Sequence, residues 1–218
     1  MIVSMWMSRG LVTVEPGTPI TEAAAIMASR NIRRLPVIRL GEDGMHLLGL
    51  VSATDLYRAF PPTVNPFSIT QQDRFKSALT AEQIMNRQVL TVSGDTPLEE
   101  AAKLMRDKKI GALPVTRGTL LQGLITESDL FRAFISLFES EQKGGARITF
   151  DISNAEDVFG LLTSAVRRHK VHVESFVTSR KDTQTVCVVR LTGAEAEVDG
   201  LIESLWKSGH SVQNVLRW

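Results

Sequence analysis

Cysteine and tyrosine are nearly absent from this 218-residue chain, which contains one residue of each. The single cysteine, Cys187, cannot form an intramolecular disulfide, which fits a reducing compartment. A charge excess is also missing, since the formal net charge is +1 at pH 7. Nucleic-acid binders usually show a clear basic excess, so we expect no nucleic-acid partner.

Long apolar runs are missing as well. No stretch of about 18 apolar residues occurs, which is roughly the length that a membrane-spanning helix needs. The first ten residues lack the basic and apolar regions of a signal peptide. We therefore expect a cytoplasmic protein with no membrane partner.

An internal repeat dominates the first part of the chain. Residues 7–37 align with 85–115 without a gap, and nearly half of the positions are identical. The alignment resumes between 49–60 and 123–134, where more than half of the positions are identical. The first copy has a longer turn, at residues 41–44. The two segments are copies of one structural unit.

Each copy predicts the element order β-α-β-β-α. A Thr-Pro pair precedes the first helical pattern, at Thr18-Pro19 and at Thr96-Pro97. We expect the threonine to cap the helix and the proline to begin it, because a missing N–H costs nothing there. One copy of about 55 residues buries its apolar surface poorly, so we expect the two copies to pack as a pair.

The repeated unit resembles the CBS domain, and the two copies resemble a CBS pair, or Bateman module. The resemblance covers residues 1–137 and rests on two elements. One is the L-P-V strand at 35–37 and 113–115; the other is the pattern G-h-h-[S/T]-x-x-D at 49–55 and 123–129. Both elements occur twice at matching positions, which makes the resemblance specific.

The resemblance implies a nucleotide site in each copy. In the family the aspartate, here Asp55 or Asp129, holds the ribose hydroxyls, and the Ser/Thr hydroxyl contacts ribose or phosphate at a helix N-terminus. The same S/T-x-x-D pattern could instead serve only as a helix-capping box. The implied binding residues are Thr13, Val14, Arg33, Arg34, Pro36, Ser52, Thr54, Asp55, Thr91, Val92, Pro114, Thr126, Ser128 and Asp129.

The copies differ just before the L-P-V strand, where Arg33-Arg34 stands in the first and Gly111-Ala112 in the second. Arginine forks suit phosphate oxygens, so one cleft could bind a polyphosphate and the other a less charged adenosyl group, or nothing. A solvated basic turn is the alternative. We expect AMP, ADP, ATP or S-adenosylmethionine as a regulatory ligand, with no required cofactor and no metal.

Residues 147–218 predict a different domain, with the order β-α-β-β-α-β of a ferredoxin-like fold. Together with Phe159-Gly160, this order resembles an ACT domain, in which Pro-Gly often begins the first helix. Phe159 replaces that proline, so a dimerising role stands beside amino-acid sensing. The order CBS-CBS-ACT resembles the acetoin utilisation (AcuB) proteins, and both domain types commonly form dimers, so we expect a homodimer.

We expect a regulatory protein and not an enzyme. Zinc-ligand spacing, the nucleophile elbow, the P-loop and the dinucleotide fingerprint are all missing from the sequence. Ligand in the CBS clefts would favour one arrangement of the repeats, and the ACT-like domain or an unidentified regulated protein would respond. Ligand-free clefts in a structural module are the alternative. The expected segments are 1–60, 61–80 (connection), 81–138, 139–146 (linker) and 147–218.

Overall fold

A computed structural model describes residues 1–61, 63–68, 78–137, 144–153, 158–181, 184–207 and 211–218. The chain divides into two compact units, Met1–Ala133 and Phe134–Trp218. Among the described residues, no helix combines the length and apolar character needed to cross a bilayer.

The first unit contains two copies of one arrangement. After a short 3-10 helix (Val3–Met5), the first copy contains α1 (Ile20–Arg30), β1 (Arg34–Gly41), β2 (Gly44–Ser52) and α2 (Ala53–Ala59). The second contains α3 (Ala81–Ile84), α4 (Leu98–Lys108), β3 (Ala112–Arg117), β4 (Leu120–Thr126) and α5 (Glu127–Ser136). The expected mixed α/β architecture with a repeated hairpin is confirmed.

The first extended piece of each copy is shorter than expected. Val14 forms a single parallel bridge with Val37, and Val92 forms the equivalent bridge with Val115. The two hairpins then join into one antiparallel sheet with the order β1-β2-β4-β3. The sheet therefore pairs the copies edge to edge, through the second strand of each hairpin.

The copies also exchange their first segments. The backbone of Ser8 bridges Leu124 of the second copy, and Asn86 bridges Leu50 of the first. Side chains follow the same exchange: Val3 and Met7 lie in the core of the second copy, whereas Ala81 and Met85 lie in the core of the first. Each copy completes its core with a segment of the other, which explains why one copy alone would be poorly packed.

The glycine of the repeated G-h-h-[S/T]-x-x-D pattern permits this exchange. A Cβ at Gly49 would lie 2.5 Å from Sδ of Met85, and a Cβ at Gly123 would lie 2.5 Å from Sδ of Met7. Both distances are far below van der Waals contact. The close approach at each glycine is therefore to the segment that the other copy contributes.

The helix caps differ from the expectation. Helices α1 and α4 begin with Pro19 and Pro97 at the N-cap, and neither cap has a side-chain hydrogen bond. Thr18 Oγ1 accepts a hydrogen bond from the Glu15 N–H at 3.1 Å, and Thr96 Oγ1 accepts one from Ser93 at 3.1 Å. The prediction that the threonines cap these helices is therefore wrong, because their hydroxyls close the preceding turns.

The second unit contains β5 (Gly145–Asp151), α6 (Val158–His169), β6 (His172–Lys181), β7 (Gln184–Thr192), α7 (Glu195–Lys207) and β8 (Val212–Arg217). Its antiparallel sheet has the order β6-β7-β5-β8, and apolar side chains of one sheet face pack with α6 and α7. The predicted ferredoxin-like order is confirmed. Strand β5 begins two residues before the expected boundary at 147. Half of the connection and most of the linker lie outside the described residues.

Candidate ligand-binding cleft

A cavity of about 560 Å³ lies within the first unit, between its two copies. The first copy contributes the residues just before β1, and the second contributes the end of β4 and the start of α5. The lining residues are Ser8, Gly10, Leu11, Val12, Asn31, Ile32, Arg33, Arg34, Pro36, Gly111, Leu124, Thr126, Glu127, Ser128 and Asp129. Six of the predicted binding residues meet here: Arg33, Arg34, Pro36, Thr126, Ser128 and Asp129.

Asp129 is held in place at the N-terminus of α5. Its Oδ2 accepts hydrogen bonds from the backbone N–H of Thr126 at 2.9 Å and from the Thr126 hydroxyl at 2.7 Å. Its Oδ1 accepts a hydrogen bond from Arg132 at 2.7 Å. Asp129 is only 5% exposed. A carboxylate offers about four acceptor positions, so roughly one remains for a ligand.

Arg34 of the first copy brings a half-buried positive charge to the cleft. Its Nη2 approaches Gly111 so closely that a Cβ there would lie 2.5 Å away, and the Glu127 carboxylate lies beside the same glycine. Burial lowers the pKa of the Arg34 guanidinium, Glu127 opposes that shift, and the neighbouring charge of exposed Arg33 adds to it. The cleft thus brings the guanidinium groups of Arg33 and Arg34 together with the carboxylates of Glu127 and Asp129.

The equivalent residues of the first copy are arranged similarly around Ser52. Asp55 Oδ2 accepts hydrogen bonds from the Ser52 N–H at 2.8 Å and the Ser52 hydroxyl at 2.6 Å. Arg58 is placed like Arg132 but makes no ion pair with Asp55 in the described structure. Thr54 is exposed on the first turn of α2. Both S/T-x-x-D patterns form capping boxes, which leaves the ribose role of each aspartate a prediction.

The implied binding residues at 13–14 and 91–92 are only partly available to a ligand. Val14 donates its N–H to Pro36 at 3.0 Å and accepts from Ile38 at 2.9 Å, so its backbone is fully used. Val92 makes the equivalent bonds to Pro114 and Thr116. Thr91 lines a separate cavity of about 190 Å³ together with Gly49 and Thr116. Thr13 is half-buried, and its neighbour Val12 lines the larger cavity.

Sequence reasoning missed Glu127 and the backbone of residues 10–12. The signal for Glu127 was its position directly after Thr126, inside the recognised pattern. Residues 10–12 reach the cleft because Ser8 pairs with β4 of the other copy, and this exchange has no local sequence signal.

Two residues with potentially reactive side chains, His169 and Cys187, do not line this cavity. His169 Nε2 lies 2.7 Å from the Ser204 hydroxyl. Cys187 is buried, and burial raises the pKa of its thiol to about 12. Within the described ranges, no three His, Cys, Asp or Glu side chains come together in a way that could hold a metal ion.

Comparison with known proteins identifies the family. The CBS domain profile matches residues 3–62 and 81–136, which together make up more than half of the sequence. The chain therefore belongs to the CBS domain family, and the predicted tandem pair is confirmed.

Two relatives show how far the sequence similarity extends. A CBS domain-containing protein of Dictyostelium discoideum is 34% identical over 143 residues, covering 63% of this chain and 94% of that protein. The uncharacterized protein MJ1225 of Methanocaldococcus jannaschii is 29% identical over 136 residues, covering 61% of this chain. The match covers 47% of that relative, so the chain spans about half of its length.

Two solved structures are similar to this one over the part containing the repeats. A Vibrio cholerae protein assigned as the acetoin utilization protein AcuB superposes with a TM-score of 0.52 and 28% identity, covering 63% of this chain and 94% of that one. CBSX2, solved in complex with AMP, superposes with a TM-score of 0.52 and 25% identity, covering 63% of this chain and 98% of that one. These matches cover the part of the chain that contains the repeats, so the resemblance of the last domain to an ACT domain remains a prediction.

Proposed function

We propose that the chain is a regulatory protein that binds an adenine nucleotide in the cleft between its CBS repeats. The observation that carries the proposal is the meeting of Arg33 and Arg34 of one copy with Thr126 and Asp129 of the other in a single cavity of about 560 Å³. A cavity of this size lies within the range of small-molecule sites. The AMP complex of CBSX2 supports the ligand class.

Each side chain has a chemical role in this proposal. Asp129 accepts hydrogen bonds from the ribose hydroxyls through Oδ1, because its Oδ2 is already used by Thr126. Ribose binding then competes with Arg132 for that oxygen. Arg33 and Arg34 bind phosphate oxygens, for which a guanidinium fork is well suited.

The charges favour a nucleotide over S-adenosylmethionine in this cleft. The sulfonium and ammonium groups of S-adenosylmethionine would add positive charge beside Arg33 and Arg34, whereas the phosphates of AMP, ADP or ATP are attracted to them. In the second copy Gly111-Ala112 stand where the first copy has Arg33-Arg34. A cleft that has Gly111-Ala112 in place of the two arginines would be the better candidate for a less charged adenosyl group.

Binding would be transmitted because the cleft includes residues of both copies. A ligand that bridges β1 of the first copy and α5 of the second favours the arrangement in which both sets of contacts form. The helix that carries Asp129 also includes Phe134, the first residue of the second unit. We infer that the ACT-like domain, a second copy of the chain in a homodimer, or a regulated partner protein responds to this change.

A ligand-free structural module is the second candidate. It is favoured by the three hydrogen bonds that Asp129 already receives, which satisfy most of its acceptor capacity. In that case the capping box would be the whole role of the aspartate.

A thermal-shift screen against AMP, ADP, ATP, S-adenosylmethionine and amino acids distinguishes these possibilities. A ligand at 100 times its dissociation constant adds about 2.7 kcal/mol, which corresponds to roughly 5–10 °C for a chain of this length. The proposal predicts a shift with a nucleotide that is lost in Asp129→Ala and kept in Asp95→Ala, an exposed aspartate outside the cleft. No shift with any adenosyl compound, in protein free of bound nucleotide, supports the structural module; a shift with an amino acid alone places sensing in the ACT-like domain.

A further inference from the structure

Two arginines lie side by side on the open face of the second sheet. Strands β5 and β7 pair so that Arg147 is directly opposite Arg190. Their neighbours Ile148 and Val189 point to the other face, into the core beneath the helices. Side chains alternate along a strand, and directly opposed residues have Cβ atoms about 4.5–5.5 Å apart. The two guanidinium groups therefore share one patch of surface.

Arg190 is buried, and one of its donors is unsatisfied within the described residues. It is 9% exposed, and its Nε has no acceptor in the described structure. Its guanidinium instead lies over the indole of Trp218, 4.4 Å from the ring centroid. Arg147 likewise makes no hydrogen bond or ion pair within the described ranges. A buried cation without a counter-charge is costly, and like charges directly opposite each other destabilise a sheet.

Within the described residues, Glu174 and Asp151 form no ion pair with either arginine. Glu174 accepts a hydrogen bond from the Thr192 hydroxyl at 3.1 Å. Asp151 accepts hydrogen bonds from the Ser153 N–H at 2.7 Å and from Gln184 at 3.0 Å. Asp151 is also four residues along β5 from Arg147, a separation of roughly 13 Å. The patch therefore carries two positive charges with no direct ion pair among the described residues.

Gly145 lets the C-terminal tryptophan lie against the sheet. A Cβ at Gly145 would lie 3.0 Å from the indole of Trp218, so a larger residue would push the ring away. The guanidinium carbon of Arg190 lies 4.4 Å from the centroid of this ring, a cation–π contact that restricts the side chain. Because this side chain is already restricted, Arg190 loses little conformational entropy when it donates hydrogen bonds to a ligand.

We propose that Arg147 and Arg190 form a binding site for a small oxyanion, a carboxylate or phosphate group, beside Trp218 on the open face of the second sheet. The planar guanidinium groups supply paired donors that match the spacing of carboxylate and phosphate oxygens. The bound anion supplies the missing counter-charge for Arg190. This site is separate from the CBS cleft, since all its residues lie in the second unit.

The test follows the indole N–H signals of the three tryptophans in the full-length ¹⁵N-labelled protein, assigned by Trp→Phe substitution. Inorganic phosphate and oxalate are the two probes, and they distinguish a phosphate from a carboxylate ligand. We expect the Trp218 signal to move saturably with at least one probe. Loss of a charge-assisted fork should weaken binding by about tenfold or more in Arg147→Gln and in Arg190→Gln.

Two controls make the result specific. Arg180→Gln removes an exposed arginine at the far end of β6 and should leave binding of both probes at the Arg147–Arg190 site unchanged. Arg34→Gln alters the proposed phosphate site in the CBS cleft and should also leave the Trp218 response unchanged. If Arg190→Gln fails to fold, Arg147→Gln alone tests the proposal, because Arg147 is less buried than Arg190. The proposal is overturned if the Trp218 signal does not move with either probe, or if it moves equally in the wild-type protein and in Arg147→Gln. A change of oligomeric state in Arg147→Gln without any Trp218 response would assign the patch to a carboxylate of a second copy and would also overturn it.

Discussion

Arg132 donates a 2.7 Å hydrogen bond to Oδ1 of Asp129, the oxygen that a ribose diol would need. The same Nη2 atom also donates to the carbonyl of Trp6 at 3.2 Å. Trp6 belongs to the N-terminal segment that the repeats exchange. A ligand that displaces Arg132 from Asp129 therefore acts on a contact that joins the two copies.

Replacing Arg132 with alanine should strengthen nucleotide binding. The substitution removes the group that competes for Asp129 Oδ1, and the lost ion pair contributes little to stability because Arg132 is exposed. We expect the dissociation constant for AMP to fall by roughly three- to tenfold, which corresponds to loss of one modest competing hydrogen bond. Isothermal titration calorimetry measures this change. Arg58→Ala, at the equivalent position, is the matched control and should not alter binding in this cleft.

Substitution of Arg34 should separate phosphate recognition from adenosine recognition. Arg34→Gln removes a half-buried guanidinium from the phosphate side while leaving Thr126 and Asp129 in place. We expect ATP affinity to fall by about tenfold or more, since a hydrogen bond to a charged group is lost, and adenosine affinity to change little. Competition titrations with ATP and adenosine measure both values. Equal loss of affinity for the two ligands would show that Arg34 does not bind phosphate.

The exchange between repeats makes Gly49 sensitive to substitution. Gly49→Ala places a methyl group 2.5 Å from Sδ of Met85 and 2.8 Å from the Asn86 carbonyl, and the carbonyl cannot move freely. We expect a loss of about 1–3 kcal/mol in the free energy of unfolding, the usual cost of overpacking. Gly17→Ala is the control, because nothing lies within 4 Å of its Cβ position. Urea unfolding of both variants provides the comparison, and equal stability would contradict the exchange of segments.

The thiol of Cys187 should be unreactive in the folded protein. Burial raises its pKa to about 12, so the thiolate that reacts with disulfide reagents is scarce near pH 8. We expect no reaction with Ellman's reagent until the protein is unfolded, and then reaction of the single thiol of each chain. Rapid reaction in native buffer would show that strand β7 opens readily.

The repeat itself made much of the fold predictable. The L-P-V strands and the S/T-x-x-D turns could be located twice, and each copy supported the interpretation of the other. The threonines before α1 and α4 were misassigned because a Thr-Pro pair suits both a helix cap and the turn before it. The structure uses Thr18 in the turn, where its hydroxyl accepts from Glu15.

The composition of the cleft was only half predictable. Asp129 belongs to the G-h-h-[S/T]-x-x-D pattern, and Arg33 and Arg34 directly precede the L-P-V strand, so the chemistry of these residues could be anticipated. Their meeting in one cavity depends on the way in which the copies pair, since Arg33 and Arg34 belong to one copy and Asp129 to the other. Such long-range pairing has no local sequence signal. The placement of Arg147 and Arg190 on the same face of the second sheet follows from strand register, which alternation alone does not fix.

The central claim is that an adenine nucleotide binds between the repeats through Asp129 and the Arg33-Arg34 pair. Its most direct test is a calorimetric titration of ATP into protein that has been unfolded and refolded to remove any bound nucleotide. The account predicts saturable binding that is abolished in Asp129→Ala, greatly weakened in Arg34→Gln and preserved in Asp95→Ala. Absence of binding in the wild-type protein, or equal binding in Asp129→Ala, would contradict it.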